Sequence, residues 1–350
     1  MRIGITFDVK LASAGQLAGL AADEEEEFDS PATIMALHAV LQELGHEVLL
    51  LGNGEDMLRQ LLQGERPELV LNIAEGRGTS RSREARVPAV LEMLGIPYTG
   101  SDPLTLAVTL DKDCAKRLVR DAGLPTPPWV LVSGELTADI QRRLDRLEMP
   151  VFVKPAYEGS SKGILASNLI HDRAELTSML ERLCETYHQP VLVEEFIDGD
   201  ELTVGVLGNA PPEVVGIMRV LPRQADGPFV YSLEVKRDWE RRVRYECPAQ
   251  LSPADSEAVS QAALACYRTL GCRDVSRLDF RLRNHVPYFL EVNPLPGLSP
   301  TSGDLVLLSG FMGVEYRELI GRILEAALGR LENRLPVGIG AGHGAGCPVS

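Results

Sequence analysis

The sequence predicts an α/β fold with a parallel N-terminal layer and α+β sub-domains after it. Strand patterns alternate with helical patterns over about the first hundred residues, which is typical of a parallel sheet. Residues 123–128 contain one glycine and three prolines and interrupt regular structure. From residue 198 onward, most strand patterns favour antiparallel pairing. A chain of 350 residues with 45% hydrophobic side chains is long enough for two or three sub-domains.

The N-terminal elements predict a domain over residues 1–100. Strand patterns occur at residues 2–7, 46–51, 68–73 and 96–99, and helical patterns occur at residues 30–44, 55–62 and 86–94. The first helix has signals at both ends. Ser30 is a suitable N-cap, Pro31 fits the first helical position, and Gly45 can end the helix.

Two further sub-domains are predicted at residues 101–197 and 198–335. The first starts with a helix at residues 103–122 and continues with strands at 129–132, 151–155 and 191–196 and helices at 138–147 and 173–187. The second contains antiparallel strands, a long helix at residues 253–270 and a closing helix at residues 314–331. Residues 336–350 are rich in glycine and cannot bury much apolar surface, so they are predicted to be a disordered tail.

Composition argues against several classes of function. The 50 acidic residues outnumber the 35 basic ones, and the formal charge of −15 argues against a nucleic-acid surface, although an ATP site needs only local cations. No apolar run approaches the ~20 residues that span a bilayer, and the N-terminus is typical of a strand instead of a secretory signal. The six cysteines show no Cys-x-x-Cys spacing. We therefore expect a cytoplasmic protein without membrane or nucleic-acid partners.

Two adjacent strand patterns near the C-terminus carry oxygen donors. Asp279 lies in the first strand, and Glu291 and Asn293 lie in the second. A hairpin would bring these side chains together, and buried carboxylates are costly unless they are paired or bound to a cation. Oxygen donors without nearby Cys or His suit Mg²⁺. The alternative is a solvent-facing strand edge, against which the alternating apolar residues argue because they require a buried face.

A second candidate feature combines a lysine with a loop of glycine and serine. Lys154 lies in the apolar strand at residues 151–155, where a buried cation needs an anionic partner. The two glycines and two serines of residues 157–163 would let backbone N–H groups approach a phosphate. This loop lacks the G-x-x-x-x-G-K-[ST] pattern of a Walker loop. A flexible surface hairpin is the alternative interpretation.

A third candidate feature is the apolar segment at residues 191–197, which contains two consecutive acids. Its backbone could hold an adenine, and a nearby carboxylate such as Glu201 could bind a ribose. A strand that emerges into solvent explains the same pattern equally well. The segment taken alone therefore leaves both interpretations open.

These segments occur in an order and spacing that resemble the ATP-grasp superfamily, specifically its D-alanine–D-alanine ligase-like branch. The likeness depends on Lys112, residues 153–155, residues 158–163, residues 194–197, Glu201, residues 234–236, residues 277–279 and residues 291–297. It extends from about residue 94 to the last helix. The resemblance implies an ATP-grasp fold in which two sub-domains clamp ATP, together with two Mg²⁺ ions for which Mn²⁺ can substitute.

The resemblance also implies which residues bind ATP and metal. The ATP-binding set consists of Lys112, Lys154, Glu158, Ser160, Ser161, Glu194, Glu195, Phe196, Ile197, Glu201 and Lys236. The lysines would contact phosphates, the backbone of residues 195–197 would hold the adenine, and Glu194 would face the adenine amino group or its neighbourhood. Glu201 would bind the ribose. The metal ligands would be Asp279, Glu291 and Asn293.

The implied chemistry joins a carboxylate to an amine. The carboxylate attacks the γ-phosphate of ATP to give an acyl phosphate and ADP, and the amine then displaces phosphate to form an amide. Arg277 would stabilise the oxyanion, Lys236 would contact the transferred phosphate, and Ser160 would belong to a loop that closes over the phosphates. Such chemistry depends on positioning and charge neutralisation, so it needs no nucleophilic side chain.

The substrate region departs from the family pattern. The Ser-Ala-Glu turn that usually follows the first strand is absent, and residues 23–27 form an acidic run in which Glu27 is a candidate substrate contact. Arg237 replaces the tyrosine that often follows the Glu-x-Lys element. Further candidate substrate contacts are Glu75, Gly297 and Ser302. We therefore expect intact catalytic machinery with remodelled acyl and amine pockets.

The leading prediction is an ATP-grasp ligase that joins two amino-acid-like small molecules and releases ADP and phosphate. D-Alanine dimerisation for cell-wall synthesis is one alternative. A second alternative attaches an amino acid to a carrier protein or peptide, and a third is a nucleotide-binding regulator without turnover. Because relatives in this branch often dimerise, a homodimer is a further expectation.

Overall fold

The structure, a computed structural model, describes residues 1–10, 23, 25–64, 66–224 and 227–332 and builds them around three sheets. The predicted tail at residues 336–350 lies outside the described residues. None of the helices in the described ranges is long and apolar enough to cross a membrane. The mixture of one parallel and two antiparallel sheets confirms the predicted fold class.

The N-terminal layer is a parallel three-stranded sheet. Strands β1 (Arg2–Phe7), β2 (Glu47–Gly52) and β3 (Leu69–Ile73) lie in the order β2–β1–β3, and each is followed by a helix: α1 (Pro31–Glu43), α2 (Gly54–Gln63) and α3 (Arg86–Met93). The Ser30 side chain accepts a hydrogen bond from Thr33 N at 3.1 Å, which confirms the predicted N-cap. The strand predicted at residues 96–99 is reduced to one bridge between Val70 and Tyr98, because Pro97 has no N–H to extend the ladder.

The single helix predicted at residues 103–122 is two helices, α4 (Pro103–Leu110) and α5 (Lys112–Asp121). Asp111 between them is extended, and its side chain accepts hydrogen bonds from Asp113 N and Cys114 N at 3.1 Å. A capping aspartate competes with the continuous helical hydrogen-bond pattern, so the chain starts a new helix here. This break places Lys112 at the first position of α5.

The middle of the chain forms a four-stranded antiparallel sheet. Its strands are β4 (Trp129–Val132), β5 (Val151–Pro155), β6 (Leu169–Ile170) and β7 (Val191–Glu195), in the order β4–β7–β5–β6. Helices α6 (Ala138–Leu144) and α7 (Leu176–Tyr187) pack on one face. Every residue of β5 is buried, including Lys154, so this lysine points into the protein as the sequence predicts.

The C-terminal sheet has five antiparallel strands. They are β8 (Asp200–Leu207), β9 (Glu213–Pro222), β10 (Val243–Glu246), β11 (Val275–Arg283) and β12 (Val286–Asn293), in the order β10–β9–β8–β11–β12. The helices of this region are α8 (Leu233–Arg237), α9 (Trp239–Arg242), α10 (Pro253–Thr269), α11 (Asp304–Phe311) and α12 (Tyr316–Glu332). Lys236 therefore lies on a short helix, capped by Ser232, and not on a strand.

One apolar core connects the N-terminal layer to the end of the chain. Ile3 and Ile5 of β1 pack with Leu37 of α1 and with Leu319 and Ile323 of α12. Each of these side chains is almost fully buried, which contributes about 1.5–3 kcal/mol per residue. The C-terminal helix therefore fixes the N-terminal layer beside the five-stranded sheet.

Candidate active site

A cleft that opens to solvent lies between the four-stranded and five-stranded sheets. Most of the predicted ATP-binding, metal-binding and catalytic residues line it: Lys112, Lys154, Glu158, Ser161, Glu194, Glu195, Phe196, Ile197, Glu201, Lys236, Arg277, Asp279 and Glu291. The fold thus brings together side chains that are widely separated in the sequence.

The cleft runs along strand β11, whose side chains define its two ends and its middle. Arg277, Asp279 and Arg281 all line the cleft, because residues two apart lie on the same side of a strand. With a rise of about 3.3 Å per residue, Arg277 and Arg281 are roughly 13 Å apart along the strand. The Cα atoms of Asp279 and Glu291 pair directly across β11 and β12, as the predicted hairpin requires. The cleft therefore has an Arg281 end, a carboxylate pair in the middle and an Arg277 end.

The Arg281 end combines an aromatic ring with a paired carboxylate. Arg281 Nη2 lies 2.5 Å from Glu201 Oε2, and the guanidinium carbon lies 4.7 Å from the centre of the Phe196 ring. Apolar side chains complete this part of the lining: Phe152, Ile164, Val230 and Leu290. An apolar slot with a carboxylate at its edge is suited to a flat base that carries a sugar.

The backbone at residues 195–197 has one N–H group left to bind a ligand. Glu195 N donates to Pro128 O at 2.9 Å, and Phe196 N donates to Pro150 O at 3.0 Å. Within the part of the chain that the structure describes, the Ile197 N–H has no hydrogen-bond partner. The predicted adenine contact from this backbone therefore depends on Ile197, which also lines the cleft.

Glu194 holds two buried lysines. Its Oε1 lies 2.5 Å from Lys154 Nζ and its Oε2 lies 2.7 Å from Lys116 Nζ. Burial lowers the pKa of Lys116 to about 8, and the two lysines keep the pKa of Glu194 below its usual value in spite of burial. Both carboxylate oxygens of Glu194 therefore face lysines, and its predicted position at the adenine amino group or its neighbourhood stays a prediction.

Asp279 and Glu291 supply the oxygen donors in the middle of the cleft. Lys112 Nζ lies 3.4 Å from Glu291 Oε2, and Thr203 Oγ1 donates to Asp279 Oδ1 at 2.9 Å. Burial favours the neutral acid, but Lys112 and further cations lower the pKa of Glu291 to about 2, so its carboxylate is ionised. The third predicted ligand, Asn293, does not line the cleft, and its Oδ1 accepts a hydrogen bond from Leu295 N at 3.2 Å.

The carboxylate pair suits a hard divalent cation. Across the described residues, no group of three or more His, Cys, Asp or Glu side chains is arranged to hold a metal ion alone. Mg²⁺ usually binds through one or two carboxylates, water and substrate phosphates, so two carboxylates are sufficient when ATP is present. The cleft lining also carries more acids than bases, so a bound polyphosphate needs cations to neutralise it.

The Arg277 end contains a buried carboxylate that the sequence prediction missed. Arg277 donates to Asp279 Oδ2 from Nε at 3.1 Å and from Nη2 at 2.9 Å, and its Nη1 donates to Asp304 Oδ2 at 3.1 Å. Lys236 Nζ lies 3.2 Å from the same Asp304 oxygen, and Tyr231 donates to Asp304 Oδ1 at 3.4 Å. Both cations of this end are therefore fixed by Asp304.

The loop at residues 157–163 lies beside Lys112. Ser160 and Ser161 have φ angles of 47° and 62°, a left-handed conformation that side chains rarely adopt. The Lys112 ammonium donates to the Glu158 carbonyl oxygen, which holds the loop at the cleft. Of the two serines predicted to close over the phosphates, Ser161 lines the cleft and Ser160 does not.

A buried ionic cluster connects this loop to the N-terminal layer. Arg83 is 1% exposed, and its Nη2 donates to both oxygens of Glu27, at 2.8 and 2.7 Å, and to Glu158 Oε2 at 3.3 Å. Lys162 Nζ lies 2.7 Å from Glu158 Oε2. The N–H of Gly159 donates to Glu27. Glu27 therefore binds Arg83 and the loop, and its predicted contact with substrate stays a prediction.

Two further carboxylates lie next to the ionic cluster. Burial, together with the charges of Glu84 and Glu27, raises the pKa of Glu75 well above its usual value. Burial, opposed by Arg83 but reinforced by Glu27, raises the pKa of Glu84 to about 8. Glu75 does not line the cleft. Each of these two acids disfavours the ionised form of the other, because two like charges that lie close together in a buried site repel.

Glu84→Gln is expected to make stability less dependent on pH. The folded pKa of Glu84, about 8, exceeds the usual 4.5, so the folded state binds more protons between these values and stability falls as pH rises through them. The stability of the variant relative to the wild type should therefore rise by roughly 2–4 kcal/mol between pH 4.5 and pH 8.5. Urea midpoints measured at both pH values test this. Glu55→Gln, on the exposed face of α2, is the control, and an equal pH response in both variants would contradict the prediction.

The remaining candidate substrate contacts lie outside the cleft lining. Arg237 is half exposed and lies 2.9 Å from Glu26 Oε2. The Ser302 hydroxyl donates to Ser299 at 2.9 Å, and Gly297 makes a close backbone approach to Gly303. None of these three predicted residues reaches the cleft directly.

Several residues of the site were missed from the sequence: Lys116, Thr203, Tyr231, Arg281 and Asp304. Two of them had a usable signal. Arg281 lies two residues after Asp279 on the same strand, and Lys116 lies one helical turn after Lys112. Asp304 had none, because an acid in the first turn of a helix is ordinary.

Comparisons with known proteins agree with this geometry. A family model described as D-ala D-ala ligase C-terminus matches residues 118–325. An uncharacterized protein of Sinorhizobium fredii is 36% identical over 297 residues, covering 83% of this chain and 85% of that protein. A D-alanine–D-alanine ligase of Ralstonia nicotianae is 38% identical over 256 residues, covering 72% of each chain. The crystal structure of D-alanine–D-alanine ligase from Bacillus anthracis complexed with ATP has a TM-score of 0.72 and 27% identity, covering 95% of this chain and 99% of that chain.

Proposed function

The chain belongs to the D-alanine–D-alanine ligase family of ATP-grasp enzymes, and on that premise we propose that it joins a carboxylate to an amine through an acyl phosphate. The protein is an ATP-dependent, ADP-forming ligase. The observation that carries the proposal is the order of groups along β11. A slot suited to a nucleoside lies beside Arg281, a carboxylate pair lies in the middle, and two cations lie beyond it.

The nucleoside slot beside Arg281 and the middle of the cleft would together bind ATP. The base packs on Phe196 and accepts a hydrogen bond from the Ile197 N–H, while Glu201 binds the ribose. Lys154 and Lys112 donate to the phosphates from the floor of the cleft. Because Glu194 and Glu291 already hold these lysines, little side-chain entropy is lost when ATP binds. We also propose that residues 101–197 and 198–335 are the two sub-domains that clamp the nucleotide.

Asp279 and Glu291 would hold Mg²⁺ in this scheme. When bound, Mg²⁺ supplies positive charge that stabilises the phosphates during transfer. Thr203 and Lys112 orient the two carboxylates, and the low pKa of Glu291 keeps it ionised at neutral pH. Ser161 and its loop exclude water from the phosphates.

The acyl transfer belongs to the Arg277 end of the cleft. Arg277 is held on two sides by Asp279 and Asp304, so its remaining N–H groups are oriented before a substrate arrives. A negative oxygen that develops on the acyl carbon would be stabilised there. Lys236, on the other side of Asp304, is placed to contact the transferred phosphate.

D-Alanine dimerisation is a second candidate, favoured by one specific observation. The relative from Ralstonia nicotianae that is 38% identical to this chain carries the name D-alanine–D-alanine ligase. In that case D-alanine serves as both the carboxylate and the amine. The two candidates share the first chemical step and differ in the acceptor.

The experiment that tests the proposal measures donor activation separately from amide formation. The purified protein is incubated with ATP, Mg²⁺ and single D- or L-amino acids in the presence of hydroxylamine, which converts an acyl phosphate to a hydroxamate. We expect ADP and hydroxamate in equal amounts with at least one donor. ADP release with phosphate but no hydroxamate would contradict the acyl phosphate, and ATP binding without ADP would favour a nucleotide-binding regulator.

A further inference from the structure

Lys116 is a fully buried cation that does not line the cleft. It lies on α5 and is 0% exposed. Its ammonium donates to Thr126 Oγ1 at 2.8 Å and lies 2.7 Å from Glu194 Oε2. The Thr126 hydroxyl in turn donates to Phe289 O at 2.8 Å, which fixes this contact to β12. Lys116 therefore acts on the cleft through Glu194.

Glu194 separates Lys116 from a second lysine that does line the cleft. Its Oε1 lies 2.5 Å from Lys154 Nζ, and its Oε2 faces Lys116. Two cations and one anion give this row of three side chains a net charge of about +1 at neutral pH. Without Lys116, the row would be a neutral ion pair, which attracts a polyphosphate much less than a net positive charge does.

The other charged groups around Lys116 lie farther away or have partners of their own. The Trp129 ring of β4 lies 5.7 Å from the Lys116 ammonium, and Arg120 packs over the same ring at 4.7 Å. Asp113 accepts a hydrogen bond from Trp129 Nε1 at 2.8 Å, and Glu291 of β12 attracts Lys116 without pairing with it. Among the residues that the structure describes, Glu194 is the only acid in an ion pair with Lys116.

We propose that Lys116 is a positioning residue of the ATP site: its charge offsets that of Glu194, so that Lys154 presents a net positive charge to the phosphates. This inference depends on the proposed contact between Lys154 and ATP. When Lys116 has no charge, the full charge of Glu194 holds the Lys154 ammonium and also repels the phosphates. Lys116 thus strengthens phosphate binding without touching the nucleotide.

Lys116 is also the member of this row whose charge changes near neutral pH. Burial lowers its pKa to about 8. In spite of burial, Glu194 raises the pKa of Lys154, and the two lysines lower the pKa of Glu194, so these two groups stay charged. Lys116 is protonated below its pKa and neutral above it. Phosphate binding should therefore be strongest below about pH 8 and weaken as the pH rises through that value.

The test compares two ligands that share a base and a ribose and differ in their phosphates. Calorimetry gives Kd for adenosine and for ADP with Mg²⁺, and the first divided by the second is defined as the phosphate preference. Lys116→Met should lower this preference at pH 7 on the order of tenfold, the effect of one charge about 10 Å from the phosphates at an effective dielectric constant of about 20. An unchanged phosphate preference in folded Lys116→Met would overturn the inference.

Arg117→Met is the matched control for net charge. Arg117 follows Lys116 on α5, and its side chain is 60% exposed. This variant loses one positive charge from the same helix, but water screens the lost charge, so the phosphate preference should remain that of the wild type. An equal fall in both variants would overturn the specific role of Lys116.

Lys154→Met separates this inference from the proposed function. It should lower the phosphate preference, since it removes the ammonium that contacts the phosphates. A fall in Lys154→Met without a fall in Lys116→Met would overturn the role of Lys116 and leave the proposed ATP contact intact. No fall in either variant would mean that Lys154 does not contact the phosphates, and both proposals about this lysine would fail. Hydroxamate formation reports the acyl phosphate independently of these binding constants.

A double variant distinguishes charge from packing. Lys116→Met/Glu194→Gln removes one cation and one anion and leaves the charge of Lys154, so its phosphate preference should be at least about threefold higher than that of Lys116→Met. Any contact between Glu194 and the adenine cancels in the ratio, because both ligands carry the base. A phosphate preference as low as that of Lys116→Met would show that lost packing causes the defect, and it would overturn the inference.

The pH dependence of binding provides a test that needs no folded Lys116 variant. The phosphate preference should fall at least about threefold between pH 7 and pH 9, as Lys116 loses its proton. Because the pKa of Glu84 is also about 8, the measurement is repeated in Glu84→Gln, where that titration is absent. A phosphate preference that does not fall in Glu84→Gln would overturn the inference, as would a fall of the same size in folded Lys116→Met.

Discussion

Glu291→Gln is expected to lower ATP-dependent phosphate release on the order of 10³-fold, which corresponds to about 4 kcal/mol in the activation barrier. Glutamine keeps the shape and one oxygen donor, but it removes the charge that faces Lys112 at 3.4 Å. The carboxylate pair then has one anion in place of two, so its attraction for a divalent cation falls. Phosphate release measured at saturating ATP checks the expectation.

Two controls separate a metal defect from a folding defect. Glu213→Gln changes an exposed acid on β9 that pairs with Arg322 and should retain the wild-type rate. The Mg²⁺ concentration that gives half of the thermal stabilisation by ADP should rise at least tenfold in Glu291→Gln and remain unchanged in the control. An unchanged Mg²⁺ requirement together with a wild-type rate would show that Glu291 holds no metal.

The middle of the cleft was predictable because local patterns determine it. Apolar residues alternate with Asp279 and Glu291 on two adjacent strand patterns, and a short connection between such strands leaves few registers. Lys154 was predictable for the same reason, since a lysine in a fully apolar strand must have a buried anionic partner. The sequence does not show that this partner is Glu194, because the pairing requires β5 and β7 to be neighbours.

The ends of the cleft were not predictable, because their contacts join distant segments. Glu27 and Arg83 are 56 residues apart, and the acidic run around Glu27 has the composition of a solvated surface. Asp304 is ordinary as a helix-starting acid until α11 packs on β8 and β9, which brings Asp304 to Arg277. The helix break at Asp111 was also not predicted, because residues 103–122 together have a helical pattern and only the capping hydrogen bonds identify the break.

These long-range pairs differ from the surface pairs in their expected contribution to stability. Arg59 pairs with Glu55 and Asp56 on α2, where all three side chains are mostly exposed, and such pairs contribute about 0–1 kcal/mol. The cluster around Arg83 has almost no access to water. Removing one member of a buried group leaves an uncompensated charge, which costs far more than the pair itself contributes.

Arg83→Met is therefore expected to destabilise the protein by about 3–5 kcal/mol, because Glu27 loses both of its guanidinium hydrogen bonds and its nearest remaining cation, Lys162, lies 4.0 Å away. The urea midpoint at pH 7 measures the loss, with Arg59→Met expected within about 0.5 kcal/mol of the wild type. The double variant Arg83→Met/Glu27→Gln should be at least about 1 kcal/mol more stable than Arg83→Met, because the unpaired side chain at position 27 is then neutral. The prediction is contradicted if Arg83→Met is as stable as Arg59→Met, or if the double variant is no more stable than Arg83→Met alone. Either result would mean that the cluster does not hold the loop at residues 157–163 against the N-terminal layer.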